Sequence, residues 1–152
     1  MKEFKKILFP VDLSEVSAKI APYVSHVVEK FEAEIYLLFV VRQFRYYADA
    51  YIDAETVQDF ESKAVAGAED KIDAFAETHF KGNSACMTKI VLGDAAEEIL
   101  KYVKDEKIDL VIMGTHGRKG LDRILFGSVA ERVIKTATVP VMSINPYRIS
   151  ES

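Results

Sequence analysis

Five short apolar runs alternate with longer segments whose apolar residues recur at helical spacing, and this alternation constrains the fold more than any other feature of the chain. The runs are ILFPV (7–11), IYLLFVV (35–41), CMTKIVLG (86–93, the weakest), DLVIMG (109–114) and VPVMSI (139–144). Runs that are apolar on both faces suit strands of a parallel sheet covered by helices on both sides. After Ser14 the residues Val16, Ile20, Tyr23, Val24, Val27, Val28 and Phe31 mark one helix face, with Ser14 as N-cap and Glu15 in the first turn. A second, long helix is predicted over about Ala54 to His79. Asp94 with Glu97 has the spacing of a capping box, and Ser128 with Glu131 repeats it. The order is then β-α-β-α-β-α-β-α-β, an α/β fold with an open parallel sheet and right-handed crossovers. Pro140, early in the last run, suits an edge strand.

The 152 residues suggest one domain over 1–152, with no tandem repeat and no interdomain linker. The 20 Lys and Arg against 24 Asp and Glu leave a net charge of −4, which argues against a nucleic-acid partner. The longest notable apolar run, 35–41, has the length of a strand and not of a membrane span. Pro10 and Asp12 cut short the apolar run near the start, so no secretory signal is expected. Cys86 stands alone and reads as a small buried strand residue, compatible with a reducing compartment. A cytoplasmic location is the expectation. One loop, RQFRYYADAYID (42–53), is long, aromatic and charged; Tyr46, Tyr47 and Tyr51 either cover the site or a partner surface, or serve as the apolar anchors of a solvated loop.

The stretch MGTHGRKGLDRILFGSVAERVI (113–134) raises the question of function. Gly114, Gly117 and Gly127 supply bare backbone, and Ser128 follows at the expected start of the last helix. Free N–H groups at a helix start attract anions, and Arg118, Lys119 and Arg123 add positive charge. In open α/β sheets ligands bind beyond the carboxyl ends of the strands, at the switch in strand order. Asp12 and the segment from Gly114 both belong at that end. The stretch is neither a Walker A loop nor G-x-G-x-x-G. On the residues alone, a phosphate cradle and a set of ordinary turn glycines with a helix cap both stay open, as does a role for Asp12 in bracing the Ser14 helix start. The scattered His26, His79 and His116 have no metal-ligand spacing, and His116 is read as a loop or phosphate-adjacent residue.

Gly114, Gly117, Gly127 and Ser128 form the pattern G-x2-G-x9-G-[ST], which resembles the ATP-binding signature of the universal stress protein (UspA-like) family. The opening KKILFPVDLSEVS, the segment LGDAAEEIL and the closing third from Asp109 to Ile144 are similar to the same family. The resemblance implies a Rossmann-like sheet of five parallel strands in the order 3-2-1-4-5, with ATP, or AMP or ADP, over the carboxyl ends of strands 1 and 4. It implies that Pro10, Val11 and Asp12 line the adenosine, with Asp12 near the ribose, and that Val40 meets the adenine through its backbone. Met113 and Gly114 would border the nucleoside; Gly117, Arg118, Gly127, Ser128, Val129 and Ala130 would hold the phosphates. Ala130 stands where members often carry Ser or Thr.

The expected role is a nucleotide-responsive stress regulator, homodimeric through the last strand (about 139–145), with Mg2+ or Mn2+ as a possible companion of the nucleotide and with no catalytic residue assigned. The alternatives are a slow ATPase or nucleotidyl-transferring enzyme on the same scaffold, a nucleotide-independent interaction module and, more distantly, a flavin carrier.

Overall fold

The computed structural model describes residues 3–43, 53–83, 85–115 and 121–149, with the backbone alone described over 121–126. Five strands and four helices alternate: β1 (Lys6–Pro10), α1 (Glu15–Phe31), β2 (Glu34–Arg42), α2 (Ala54–Phe80), β3 (Cys86–Gly93), α3 (Ala95–Asp105), β4 (Leu110–Gly114), α4 (Leu121–Thr136) and β5 (Val141–Ile144). All neighbouring strands pair in parallel, in the order β3-β2-β1-β4-β5. This is the open, doubly covered sheet that the alternating pattern predicts.

The two faces of the sheet separate the apolar residues by parity. Ile7, Phe9, Ile35, Leu37, Leu110 and Ile112 pack with Val16, Ile20, Ala21, Val24 and Val28 of α1 and with Ile72 and Phe80 of α2. Leu8, Tyr36, Leu38, Val111 and Met113 pack on the other face with Ala96, Ile99 and Val103 of α3 and with Ala130 and Val133 of α4. Successive strand side chains point to opposite faces, so a run that is apolar throughout feeds both layers. Each such side chain, fully buried, stabilises the fold by roughly 1.5–3 kcal/mol.

Packing of this kind overrides local preference in α1, which continues through Pro22 even though proline removes a helical hydrogen bond. Its start is the predicted one: the Val16 N–H donates to Ser14 Oγ (3.2 Å). α3 is likewise capped by Asp94, which accepts from the Glu97 N–H (3.0 Å).

The last helix departs from expectation. α4 begins at Leu121, so Gly127 and Ser128 lie inside it and not at its start. The apolar period of Leu121, Ile124, Leu125, Val129 and Val133 runs through the glycine without a break. One interior glycine costs about 1 kcal/mol relative to alanine, too little to end a helix anchored in the core by Ala130 and Val133. Glu131 does not cap Ser128 either. Its carboxylate accepts from Lys135 Nζ at 2.7 Å, and that bond holds it below the usual carboxylate range. Cys86 is half-buried in β3, and burial pushes its thiol pKa up, as suits an unreactive strand residue.

Candidate functional site

The carboxyl ends of β1 and β4 lie side by side at the switch in strand order. The two strands pair only through Ile7↔Leu110 and Leu8↔Val111, while β4 runs on to Gly114. Beyond Leu8 no further residue pair joins the two strands; the crevice past the strand ends at such a switch in order is where α/β sheets receive ligands.

Backbone alternation decides what this crevice is lined with. The Val11 N–H, just past β1, donates to the Leu38 carbonyl of β2 (2.9 Å). Val40, two residues further along β2, turns its N–H and C=O to the same side as Leu38. On β4, the N–H groups of Val111 and Thr115 donate outward to Pro140 and Ile144, so Gly114 turns its own polar pair inward, toward β1. Val40 and Gly114 therefore aim one donor and one acceptor each at the space past the end of β1. The side chain of Met113, by contrast, is fully buried in the α3/α4 layer, so Met113 borders the crevice with its backbone.

Asp12, two residues past the end of β1, stands in a local network. Its Oδ1 accepts from the Ser14 N–H (2.9 Å), from Ser14 Oγ (2.6 Å) and from Ser17 Oγ (2.7 Å). The Asp12 N–H donates to Ser17 Oγ (3.0 Å). Asp12 thus braces the start of α1, one of the two roles left open by the sequence, and does so from the position expected to face a ligand. Between Asp12 and Ser14, Leu13 adopts φ 60, a left-handed conformation that costs a non-glycine residue about 1–2 kcal/mol. Leu13 packs against the α1/α2 layer, and that contact holds the turn.

Gly127 approaches the crevice from α4. A Cβ on it would lie 3.4 Å from the Thr115 carbonyl oxygen, so the helix passes close to the end of β4 at this residue. Ser128 is exposed, Val129 is half-buried, and Ala130 is buried beneath the sheet. The structure thus brings Pro10, Val11, Asp12, Val40, Met113, Gly114 and Gly127 to one end of the sheet. Gly117 and Arg118, with His116 and Lys119, lie outside the described residues, as does most of the aromatic loop, 44–52. The helix start expected at Gly127 lies six residues earlier, at Leu121, so the N–H groups of Gly127 and Ser128 belong to helical backbone.

Sequence reasoning missed Ser17 and Leu13. The spacing D-x-S-x-x-S was a usable signal for Ser17, since it sets both hydroxyls in the first turn facing back to Asp12. Leu13 carries no such signal, because leucine has no preference for a left-handed turn. Among the described residues no group of three or more His, Cys, Asp or Glu could hold a metal ion.

The universal stress protein family model matches residues 3–145. A curated relative from Methanocaldococcus jannaschii, universal stress protein MJ0531, is 36% identical over 140 residues, covering 91% of this chain and 81% of its own. The solved structure of MJ0577 superposes with a TM-score of 0.81 at 30% identity, covering 99% of this chain and 100% of that one. A universal stress protein family member from Arabidopsis thaliana, solved with AMP bound, shares the fold at a TM-score of 0.62 and 21% identity, with 93% and 91% of the two chains covered.

Proposed function

The chain belongs to the universal stress protein family, and from that membership we propose a regulatory protein that binds an adenine nucleotide, ATP in the first place, over the carboxyl ends of β1 and β4. The observation that carries this reading is the pair of backbone edges at Val40 and Gly114, both turned toward the space past β1. A peptide edge offers a donor and an acceptor in fixed order. Adenine presents an amino donor beside a ring-nitrogen acceptor, whereas guanine presents a carbonyl acceptor beside an N–H donor. A fixed peptide edge complementary to the first arrangement mismatches the second. The AMP held by the Arabidopsis protein is of the same chemical class.

In this reading Pro10 and Val11 wall the adenosine, Asp12 faces the ribose, and Met113 and Gly114 border the nucleoside. The phosphates extend toward Gly117 and Arg118 and toward the Gly127–Ala130 segment. Because α4 already includes Gly127, that segment serves by its bare surface and by the Ser128 hydroxyl rather than as a helix start. A divalent cation, Mg2+ or Mn2+, would take its main ligands from the phosphates. No catalytic base is assigned, and regulation follows if nucleotide binds one state of the crevice more tightly than another. In this reading the chain is a single domain over 1–152 and acts in the cytoplasm as a homodimer.

Two measurements test the reading. Mass spectrometry of small molecules released from purified protein should find an adenine nucleotide. Calorimetric titration should give ATP at least about a tenfold advantage over GTP, worth ~1.4 kcal/mol. Equal affinities, or no binding of either, would overturn it, and the second result would favour a nucleotide-independent interaction module.

A further inference from the structure

We propose that Ser17 is a positioning residue for the nucleotide's sugar, acting through Asp12; the proposal rests on the adenine-nucleotide reading above. Ser17 is 4% exposed and is the polar residue that stands out in the buried core among the described residues. A polar group is buried at a cost unless its hydrogen bonds are met. Here the hydroxyl both donates to and accepts from one neighbour. Ser17 Oγ donates to Asp12 Oδ1 at 2.7 Å and accepts from the Asp12 N–H at 3.0 Å. The hydroxyl therefore clamps main chain and side chain of Asp12 at once.

The clamp explains how a carboxylate at a strand end can hold one orientation. Ser14 alone gives Oδ1 two donors, but both come from a single residue just beyond the left-handed turn at Leu13. Ser17 comes from the buried face of α1, whose neighbours Val16, Ile20 and Ala21 are fixed in the core. It ties Asp12 to the rigid body of the helix and not only to the turn. Three donors on one oxygen set the carboxylate plane, and with it the direction in which Asp12 meets a sugar hydroxyl. A hydrogen bond to a charged acceptor gains its strength from such alignment. Residues that hold a binding group in place without touching the ligand are what preorganisation requires.

The test compares ATP with its 2′-deoxy and 3′-deoxy analogues by calorimetry in four proteins: wild type, Ser17→Ala, Asp12→Ala and the double variant. Ser17→Ala should weaken ATP by roughly tenfold, the equivalent of one well-placed bond to a charged group. It should weaken whichever deoxy analogue lacks the hydroxyl facing Asp12 far less. In the Asp12→Ala background, Ser17→Ala should have no further effect on ATP. Ser17→Cys keeps the side-chain volume but bonds weakly, and should shift affinities in the same direction; it carries the test if circular dichroism shows Ser17→Ala to be unfolded. Equal losses for ATP and both analogues, additive losses in the double variant, or unchanged ATP affinity in a folded Ser17 variant would each overturn the positioning role while leaving nucleotide binding intact. A wild type that binds no adenine nucleotide would overturn both.

Discussion

Leu13 and Gly127 show how single residues shape the crevice from opposite sides. Leu13 carries the strain of a left-handed turn at φ 60, and it is held there by its own packing and by the Asp12 network on either side. Nothing in the residue type announces this, because the conformation is imposed by what surrounds it. Gly127 was legible as a residue of interest but not in its setting: the sequence marks bare backbone, and only the structure shows that the bareness faces the Thr115 carbonyl. A methyl at 3.4 Å meets that oxygen at the near limit of ordinary contact. Gly127→Ala should therefore raise stability by about 0.5–1 kcal/mol through helix propensity, read as a higher urea midpoint. Gly127→Val adds two branches with little rotamer freedom in a helix, which crowd the phosphate path. It should keep the circular dichroism spectrum of the wild type and lose at least about tenfold in ATP affinity, ~1.4 kcal/mol. A folded valine variant with undiminished affinity would remove this helix segment from the site.

One residue with two duties joins the start of α3 to α4. Asp94 Oδ2 accepts from the Glu97 N–H, capping α3, and also from Arg132 Nη1 of α4, each at 3.0 Å. The cap was readable from the sequence because it joins residues three apart; the partner on α4 was not, because it lies 38 positions away. The two duties separate by substitution. Asp94→Asn keeps a capping oxygen and removes the ion pair, and because both side chains are about half exposed it should cost under ~1 kcal/mol and less in high salt. Asp94→Ala also loses the cap and should cost about 1–2 kcal/mol in urea unfolding. If the two variants melt alike, the cap contributes little and the ion pair carries the junction.

At the scale of the whole molecule, β5 forms one margin of the sheet. Val141–Ile144 pairs with β4 on one side, and Met142 and Ser143 are exposed. An exposed strand margin invites pairing with another chain, which is the basis for proposing a homodimer through about 139–145. The hydrogen-bonding sides of β5 choose the substitution that tests it. The Thr115 N–H donates to the Ile144 carbonyl, so Ile144 and Met142 face β4 while Ser143 turns its N–H to the outer side. Ser143→Pro removes an outward donor and leaves the internal ladder whole, whereas proline at Met142 would break it. Light scattering should find a dimeric wild type at micromolar concentration and a folded, monomeric Ser143→Pro. A dimer that survives the proline would place the interface elsewhere.

Local rules determined the elements. Strand runs, helix periods and the Ser14 and Asp94 caps each depend on residues within one turn or one run of each other, so the α/β class, the strand runs and the starts of α1 and α3 could be read directly. The order of the strands entered through resemblance, since alternation by itself admits several orders. Tertiary structure decided the rest: that α4 continues through Gly127 because Ala130 and Val133 anchor it in the core, that Leu13 accepts a strained turn, and that Ser17 closes on Asp12. It also decided that Val40 and Gly114 turn their backbone toward the end of β1, a fact of strand register and of where one ladder stops. The Ser17–Asp12 contact spans only five residues and left a readable spacing; the others depend on contacts with the sheet and core, where packing energies exceed the local preferences that a sequence displays.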